Sequence, residues 1–351
     1  MRKLINFCYL FLLAILVFTS FGYTAEVGPV TLRLAACMPP TGIRADVLNW
    51  IAEEAKERSE GRVNIEIFWE DTLFSYEEVF RGVMIGTADI GSVNTANYPK
   101  ELFVWGVFNT FLLGPKNLQS QYQFVQEVIE SVPAFKASLT NWNQIILTRF
   151  LYMPGAFGSK IQYDSLLDFT GKNVRAASMY HLIALKALGI TPVSLPWADV
   201  YTGLDKGTID AMFTAIDSFY RGMMDEVAPY FLWDSSLWMP QSNLITINTG
   251  SLNKLLEEDQ QMLHKIGEEA EMMGLRLLEG EIENNMKTME ERSGAIFNKF
   301  DTEELSMWLN KSTVKEMPDT WAKEAETMGL PGNEIVELIR NKLKEYLPDI
   351  Y

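Results

Sequence analysis

Apolar and polar residues alternate along Val30-Thr31-Leu32-Arg33-Leu34-Ala35-Ala36, which reads as a strand with one buried face. Over residues 44–57 the period changes: Val47, Trp50, Ile51 and Ala55 recur at the spacing of one helix face. Val63 to Phe68 alternates again as a strand. Ser75-Tyr76-Glu77-Glu78 then has the form of a capping box, opening a helix through Val79, Val83 and Ile85 with Gly86 at its end. Residues 87–93 complete the series as a third strand. The succession predicts a βαβαβ unit, half of a doubly wound sheet.

The same order returns in the middle of the chain. Residues 172–176 form a short strand, Ser178 caps a helix over 179–188, and Gly189 suits its C-terminal turn. A strand over 191–195, a helix over 198–206 stopped by Gly207 and a strand over 208–214 follow. Two such units predict an α/β protein of two lobes with a cleft between them, each lobe a sheet flanked by helices. From Glu257 the apolar residues Leu263, Ile266, Ala270, Met273 and Leu277 step by three or four, and Ile282, Met286 and Met289 continue the series. A helix over 257–292 would be roughly 54 Å long, enough to lie across both lobes. The division expected is residues 26–151 with about 240–256 for lobe I, 152–239 for lobe II, the long helix, and a C-terminal helical segment over 293–351 broken at Gly329-Leu330-Pro331-Gly332.

Residues 1–25 have the charged, apolar and small-residue order of a secretory leader: Arg2 and Lys3, an apolar run over 10–18, then small and polar residues. The run is shorter than the ~20 residues a membrane span needs, which points to a cleaved signal peptide and a periplasmic protein. Cys8 would leave with it and Cys37 would stand alone, so a large apolar core rather than a disulfide must hold the fold. The net charge of −16, more negative still once Arg2 and Lys3 are removed, repels phosphate backbones and argues against nucleic acid as a partner. A small organic anion remains compatible, because a distant field is screened within about 10 Å at 0.1 M salt. His181 and His264, the two histidines, sit within helical patterns and lack metal-ligand spacing. Neither a P-loop nor a dinucleotide fingerprint is present. No catalysis and no cofactor are expected.

Ligands of open parallel sheets sit beyond the carboxyl ends of the strands. The second unit puts Arg175, Trp197 and Thr214 at such ends, where they should converge on one crevice. The fork of Arg175 matches a carboxylate bidentately, and the helix start at Ser178 could face the same anion.

These segments also resemble a known family. Thr170-Gly171-Lys172-Asn173-Val174-Arg175, Leu188-Gly189-Ile190-Thr191-Pro192-Val193, Pro196-Trp197-Ala198-Asp199-Val200-Tyr201 and Gly207-Thr208-Ile209-Asp210-Ala211 look like the signature of TRAP-type solute-binding proteins, the extracytoplasmic receptors of tripartite ATP-independent transporters. Ser59-Glu60-Gly61-Arg62-Val63, Gly86-Thr87-Ala88-Asp89-Ile90-Gly91 and Trp321-Ala322-Lys323-Glu324-Ala325 extend the likeness over nearly all of the chain after its leader. The resemblance implies a Venus flytrap that closes on an organic acid, a monomer working with the membrane subunits of a TRAP transporter. It places the family's selectivity arginine on Arg175 and an aromatic neighbour on Trp197.

This chain departs from the pattern in two places. Thr214 stands where many relatives have Asn, and Pro154-Gly155-Ala156-Phe157-Gly158 carries Phe157 but no arginine where many have Gly-aromatic-Arg. From the first lobe Met38, Trp69, Tyr76 and Asn94 are expected to close the site. Bulky apolar side chains dominate this first-lobe set, which suits a monocarboxylate with an apolar or aromatic body. The alternatives are a receptor for a C4-dicarboxylate, keto acid or sugar acid, and a soluble periplasmic sensor.

Overall fold

The alternations become strands, and the strands assort into two sheets. The computed structural model describes residues 28–150, 154–239 and 243–348, so the expected leader lies outside the described residues. The strands are β1 (Val30–Ala36), β2 (Val63–Trp69), β3 (Ile90–Asn94), β4 (Gln144–Phe150), β5 (Gly155–Ser159), β6 (Asn173–Arg175), β7 (Thr191–Val193), β8 (Ala211–Ala215), β9 (Tyr230–Trp233), β10 (Asn243–Asn248) and β11 (Ile296–Lys299). The first sheet has the order β2-β1-β3-β10-β4 and the second β11-β9-β5-β8-β6-β7.

Each sheet contains one βαβαβ unit as three parallel strands with its first strand in the middle: β2-β1-β3 and β7-β6-β8. An antiparallel strand extends each unit, β10 beside β3 and β5 beside β8. Consecutive strands β4 and β5 belong to different sheets, as do β9 and β10. The result is a two-lobed α/β fold whose lobes exchange chain more than once. In the segment over 293–351, expected to be helical, Ile296–Lys299 is instead strand β11. It pairs in parallel with β9, Ile296 opposite Tyr230, and so covers the edge of the second sheet.

The helix Glu257–Ser293 joins the two bodies. Its Leu263, Ile266 and Ala270 pack with Leu32, Leu34 and Ala36 of β1 and with Val47, Leu48 and Ile51 of the helix Ile43–Arg58. Further along, Leu275, Leu278 and Met289 pack with Val200, Leu204, Met212 and Phe219 of the other lobe. One apolar stripe thus serves two cores. Gly267 is where this helix comes closest to the first sheet, since a Cβ there would stand 1.8 Å from the carbonyl oxygen of Leu147. Gly267→Ala is therefore expected to destabilise the fold by about 1–3 kcal/mol through overpacking, read as a lowered denaturation midpoint. An unchanged midpoint would mean that the helix can shift outward without loss.

A third core binds the C-terminal helices Met317–Thr327 and Gly332–Tyr346 to the 3₁₀ segment Phe103–Thr110 and to the second lobe. Tryptophans fix this contact. The Trp308 Nε1–H donates to the Ala184 carbonyl at 2.8 Å, and Trp321 stacks on Phe103 with ring centroids 5.5 Å apart.

Candidate ligand-binding cleft

The two units face each other across a cleft of about 510 Å³, open to solvent, lined by residues of both lobes. Arg175 ends β6 and is held in register between Val193 of β7 and Met212 of β8. Its side chain enters the cleft although the residue is only 6% exposed. The Nε–H donates to the Leu195 carbonyl at 3.1 Å, and the guanidinium carbon lies 5.8 Å from the centroid of the Trp197 ring. One edge of the fork is thereby tethered, and an aromatic face supports it.

Trp197 is the first residue of the helix Trp197–Lys206, entered from Pro196 and closed by Gly207 at φ +73°. The indole lies against Gly222, where a Cβ would come within 2.9 Å of Trp197 Cζ2. Thr214 of β8 completes this wall, with Ser218 and Arg221 from the helix Ile216–Arg221 that follows.

The opposite wall comes from the first lobe. Asn94 ends β3 and accepts from the Ala96 N–H at 3.1 Å, while Asn97 Nδ2 donates to Glu77 Oε1 at 3.3 Å. Tyr76, Glu77 and Arg44 complete it. Arg44, on the helix Ile43–Arg58, reaches across the interface: its Nη2 donates to Asp217 Oδ2 at 3.2 Å, with side chains only 2% and 4% exposed. The same oxygen accepts from Arg221 Nε at 3.2 Å.

Five of the residues expected from the sequence thus meet in one cleft: Arg175, Trp197, Thr214, Asn94 and Tyr76. Three are elsewhere, and strand periodicity explains why. Met38 continues the every-second-residue series Leu32, Leu34, Ala36 into the first-lobe core, and Trp69 likewise follows Ile65 and Ile67 against that core. Phe157 pairs with Phe213 across β5 and β8, whereas Thr214 pairs with Ala156, so Phe157 faces away from Thr214. Its fully buried ring stands 4.7 Å from Phe213 and 4.8 Å from Phe169. The helix start at Ser178 also turns aside. Its Oγ accepts from the Tyr180 N–H at 3.3 Å, and Ser178, Met179 and Tyr180 line a separate cavity with Thr95, Gly106 and Asn109.

Arg44, Glu77, Asn97, Ser218 and Arg221 did not come out of the sequence pattern. A usable signal existed for two of them: Arg44 and Arg221 lie on the helices that follow β1 and β8, in the positions beyond strand ends where ligands sit. Neither histidine lines the cleft. His181 is buried against Phe213, and burial pushes its pKa down from 6.5 to about 3. As pH falls through that interval the unfolded chain takes up a proton that the folded chain excludes, so His181 weakens the fold in acid and has no effect above pH 6.5. Burial first, then the charge of Asp71, pushes the Cys37 thiol up, which keeps it protonated and unreactive.

A cleft between two sheet-based lobes, with an arginine at a strand end beside a tryptophan, is a solute-binding geometry, and comparison with known proteins agrees. Residues 38–320 match the family described as bacterial extracellular solute-binding protein, family 7. The chain belongs to this family. It is similar to the 2,3-diketo-L-gulonate-binding periplasmic protein of Escherichia coli K12, 24% identical over 272 residues that cover 75% of this chain and 80% of that one. A Bordetella pertussis extracytoplasmic solute receptor binding pyroglutamic acid superposes with a TM-score of 0.77 at 20% identity, covering 89% of this chain and 99% of its own. A TRAP solute-binding protein of Rhodoferax ferrireducens in complex with copurified benzoate gives 0.79 at 15% identity, covering 91% and 99%. The protein is thus an extracytoplasmic solute-binding receptor of the TRAP type, a class that works with membrane transporter subunits. Among the described residues no helix is long and apolar enough to cross a membrane.

Proposed function

We propose that the receptor holds its solute by a carboxylate paired with Arg175, the solute body lying against Trp197. The observation that carries this reading is the Arg175 guanidinium, almost fully buried yet lining the cleft, tethered by the Leu195 carbonyl and supported by the indole. A planar fork held in this way is preorganised for two parallel N–H···O bonds.

The rest of the lining changes the expected body of the solute. Met38 and Trp69, which favoured an apolar body, lie outside the cleft, as does Phe157, and Asn94, Asn97, Thr214 and Ser218 stand in it. A small flat acid bearing hydrogen-bonding groups fits this lining better than a plain hydrocarbon acid. The pyroglutamic acid named for the Bordetella receptor combines one carboxylate, a flat ring and polar groups of that kind. The receptor acts as a periplasmic monomer after its leader is removed, passes the unaltered acid to TRAP membrane subunits, and performs no chemistry on it.

Trp197 contributes contact area in this reading. Trp197→Phe is expected to weaken binding less than Trp197→Ala, the two differing by about 0.5–1.5 kcal/mol, because a ring still supports the guanidinium. Calorimetric titration with the acid recovered from the wild-type protein measures both. Equal affinities in all three forms would assign Trp197 to packing, and recovery of a chemically altered acid would contradict the receptor reading.

A further inference from the structure

Arg175 is one of three arginines lining the cleft, and the other two meet at Asp217. Arg221 Nε and Arg44 Nη2 both donate to the same oxygen of Asp217, at 3.2 Å each. The Arg221 charge is therefore only partly balanced, in a side chain 14% exposed. Its Nη2 donates to Ser218 Oγ at 3.1 Å, which fixes the second edge of the fork. Ser218, 3% exposed and also in the lining, has its oxygen occupied by that bond and keeps its own proton to give. The other carboxylate oxygen of Asp217 is buried without a hydrogen-bond partner among the described residues.

We infer that Arg221 and Ser218 form a second recognition point in the cleft, one that reads an oxygen acceptor on the solute at a distance from the carboxylate held by Arg175. The inference rests on the Arg175 reading and adds the substrate class: an acid carrying a second carboxylate, keto or hydroxyl oxygen. Two features carry it. A cation that shares its carboxylate, in a poorly solvated wall, gains from any further acceptor brought to it. The adjacent serine supplies a second donor one turn away on the same helix, so both donors come from one rigid element. Asp217 is a positioning residue here, since it orients the guanidinium.

The test uses three acids of one chain length: pentanoate, levulinate (4-oxopentanoate) and glutarate, titrated calorimetrically into the wild-type protein and into Arg221→Met, Arg221→Lys and Arg175→Ala. Levulinate and glutarate are expected to bind the wild type roughly tenfold or more tighter than pentanoate, the ratio a charge-assisted hydrogen bond supplies. Arg221→Met should remove that ratio, bringing levulinate and glutarate to the affinity the same variant has for pentanoate. Arg221→Lys, which retains the charge and the Asp217 partner, should keep part of it, and so covers the case in which the methionine variant folds poorly. Equal wild-type affinities for the three acids, or an Arg221→Met variant that loses all three alike, would overturn the inference and leave Arg175 standing. Pentanoate binding that survives Arg175→Ala would instead overturn the Arg175 reading.

Discussion

Replacing Arg175 with alanine is expected to cost the receptor about 3–5 kcal/mol of binding energy for its native acid, the loss seen when one partner is removed from a buried, hydrogen-bonded charge pair. The size follows from where the side chain sits. Arg175 is almost fully buried at the end of β6, so the carboxylate it receives is desolvated as the cleft closes and has no bulk water to replace the lost fork. Arg175→Lys should fall between the two forms, because a point charge remains but the planar pair of donors does not. Titration calorimetry of the three forms orders them, with thermal denaturation of each as the check on folding. An alanine variant with wild-type affinity would place the carboxylate elsewhere in the cleft.

Breaking the ion pair between the lobes should have an effect of comparable size on closure. Arg44 belongs to the helix after β1 and Asp217 to the helix after β8, so their contact at 3.2 Å exists only while the lobes are together. In an opened molecule Asp217 keeps its bond to Arg221, four residues on in the same helix, and loses Arg44. Asp217→Ala removes the carboxylate that Arg44 and Arg221 share in the closed form, and breaking a buried pair from one side in this way costs that form about 3–5 kcal/mol. A solute that closes the wild type by its differential contacts with the two walls would then have to overcome this penalty as well. Small-angle scattering at saturating solute should show a compact wild type and a more extended Asp217→Ala variant. The double variant Arg44→Met with Asp217→Leu, which removes the charge pair between the lobes and leaves only Arg221, 14% exposed, without its carboxylate, should regain part of the compactness. A single variant that closes as fully as the wild type would take the pair out of the closure mechanism.

Most of the architecture was legible because it rests on local periodicity. The strand read at 30–36, the helix at 44–57 and the long helix at 257–292 appear as Val30–Ala36, Ile43–Arg58 and Glu257–Ser293. The pattern did not reveal the antiparallel strands. β10 and β5 extend the parallel units only after the chain has passed between lobes, and β11 stands directly after the long helix, outside both βαβαβ units. At the site, the rule that ligands gather beyond strand ends located Arg175, Asn94 and Thr214, since β6, β3 and β8 end at or next to them. The rule alone does not say to which face a side chain turns. Met38 and Trp69 stand at strand ends as well, but each falls on the core side of a two-residue period that could have been counted forward from Leu32 and Ile65. Arg44 and Arg221 escaped for the opposite reason. An arginine on a helix surface reads as solvated, and only the three-dimensional meeting at Asp217 shows that both are drawn into the cleft.

Capture of a carboxylate at Arg175 should be visible in what the protein carries from the cell. Wild-type protein and Arg175→Ala, expressed as the full chain and purified side by side without added ligand, can be denatured and the released small molecules compared by mass spectrometry. Capture at Arg175 predicts an organic acid in near-stoichiometric amount from the wild type and little or none from the variant. The same acid in equal yield from both proteins would contradict it.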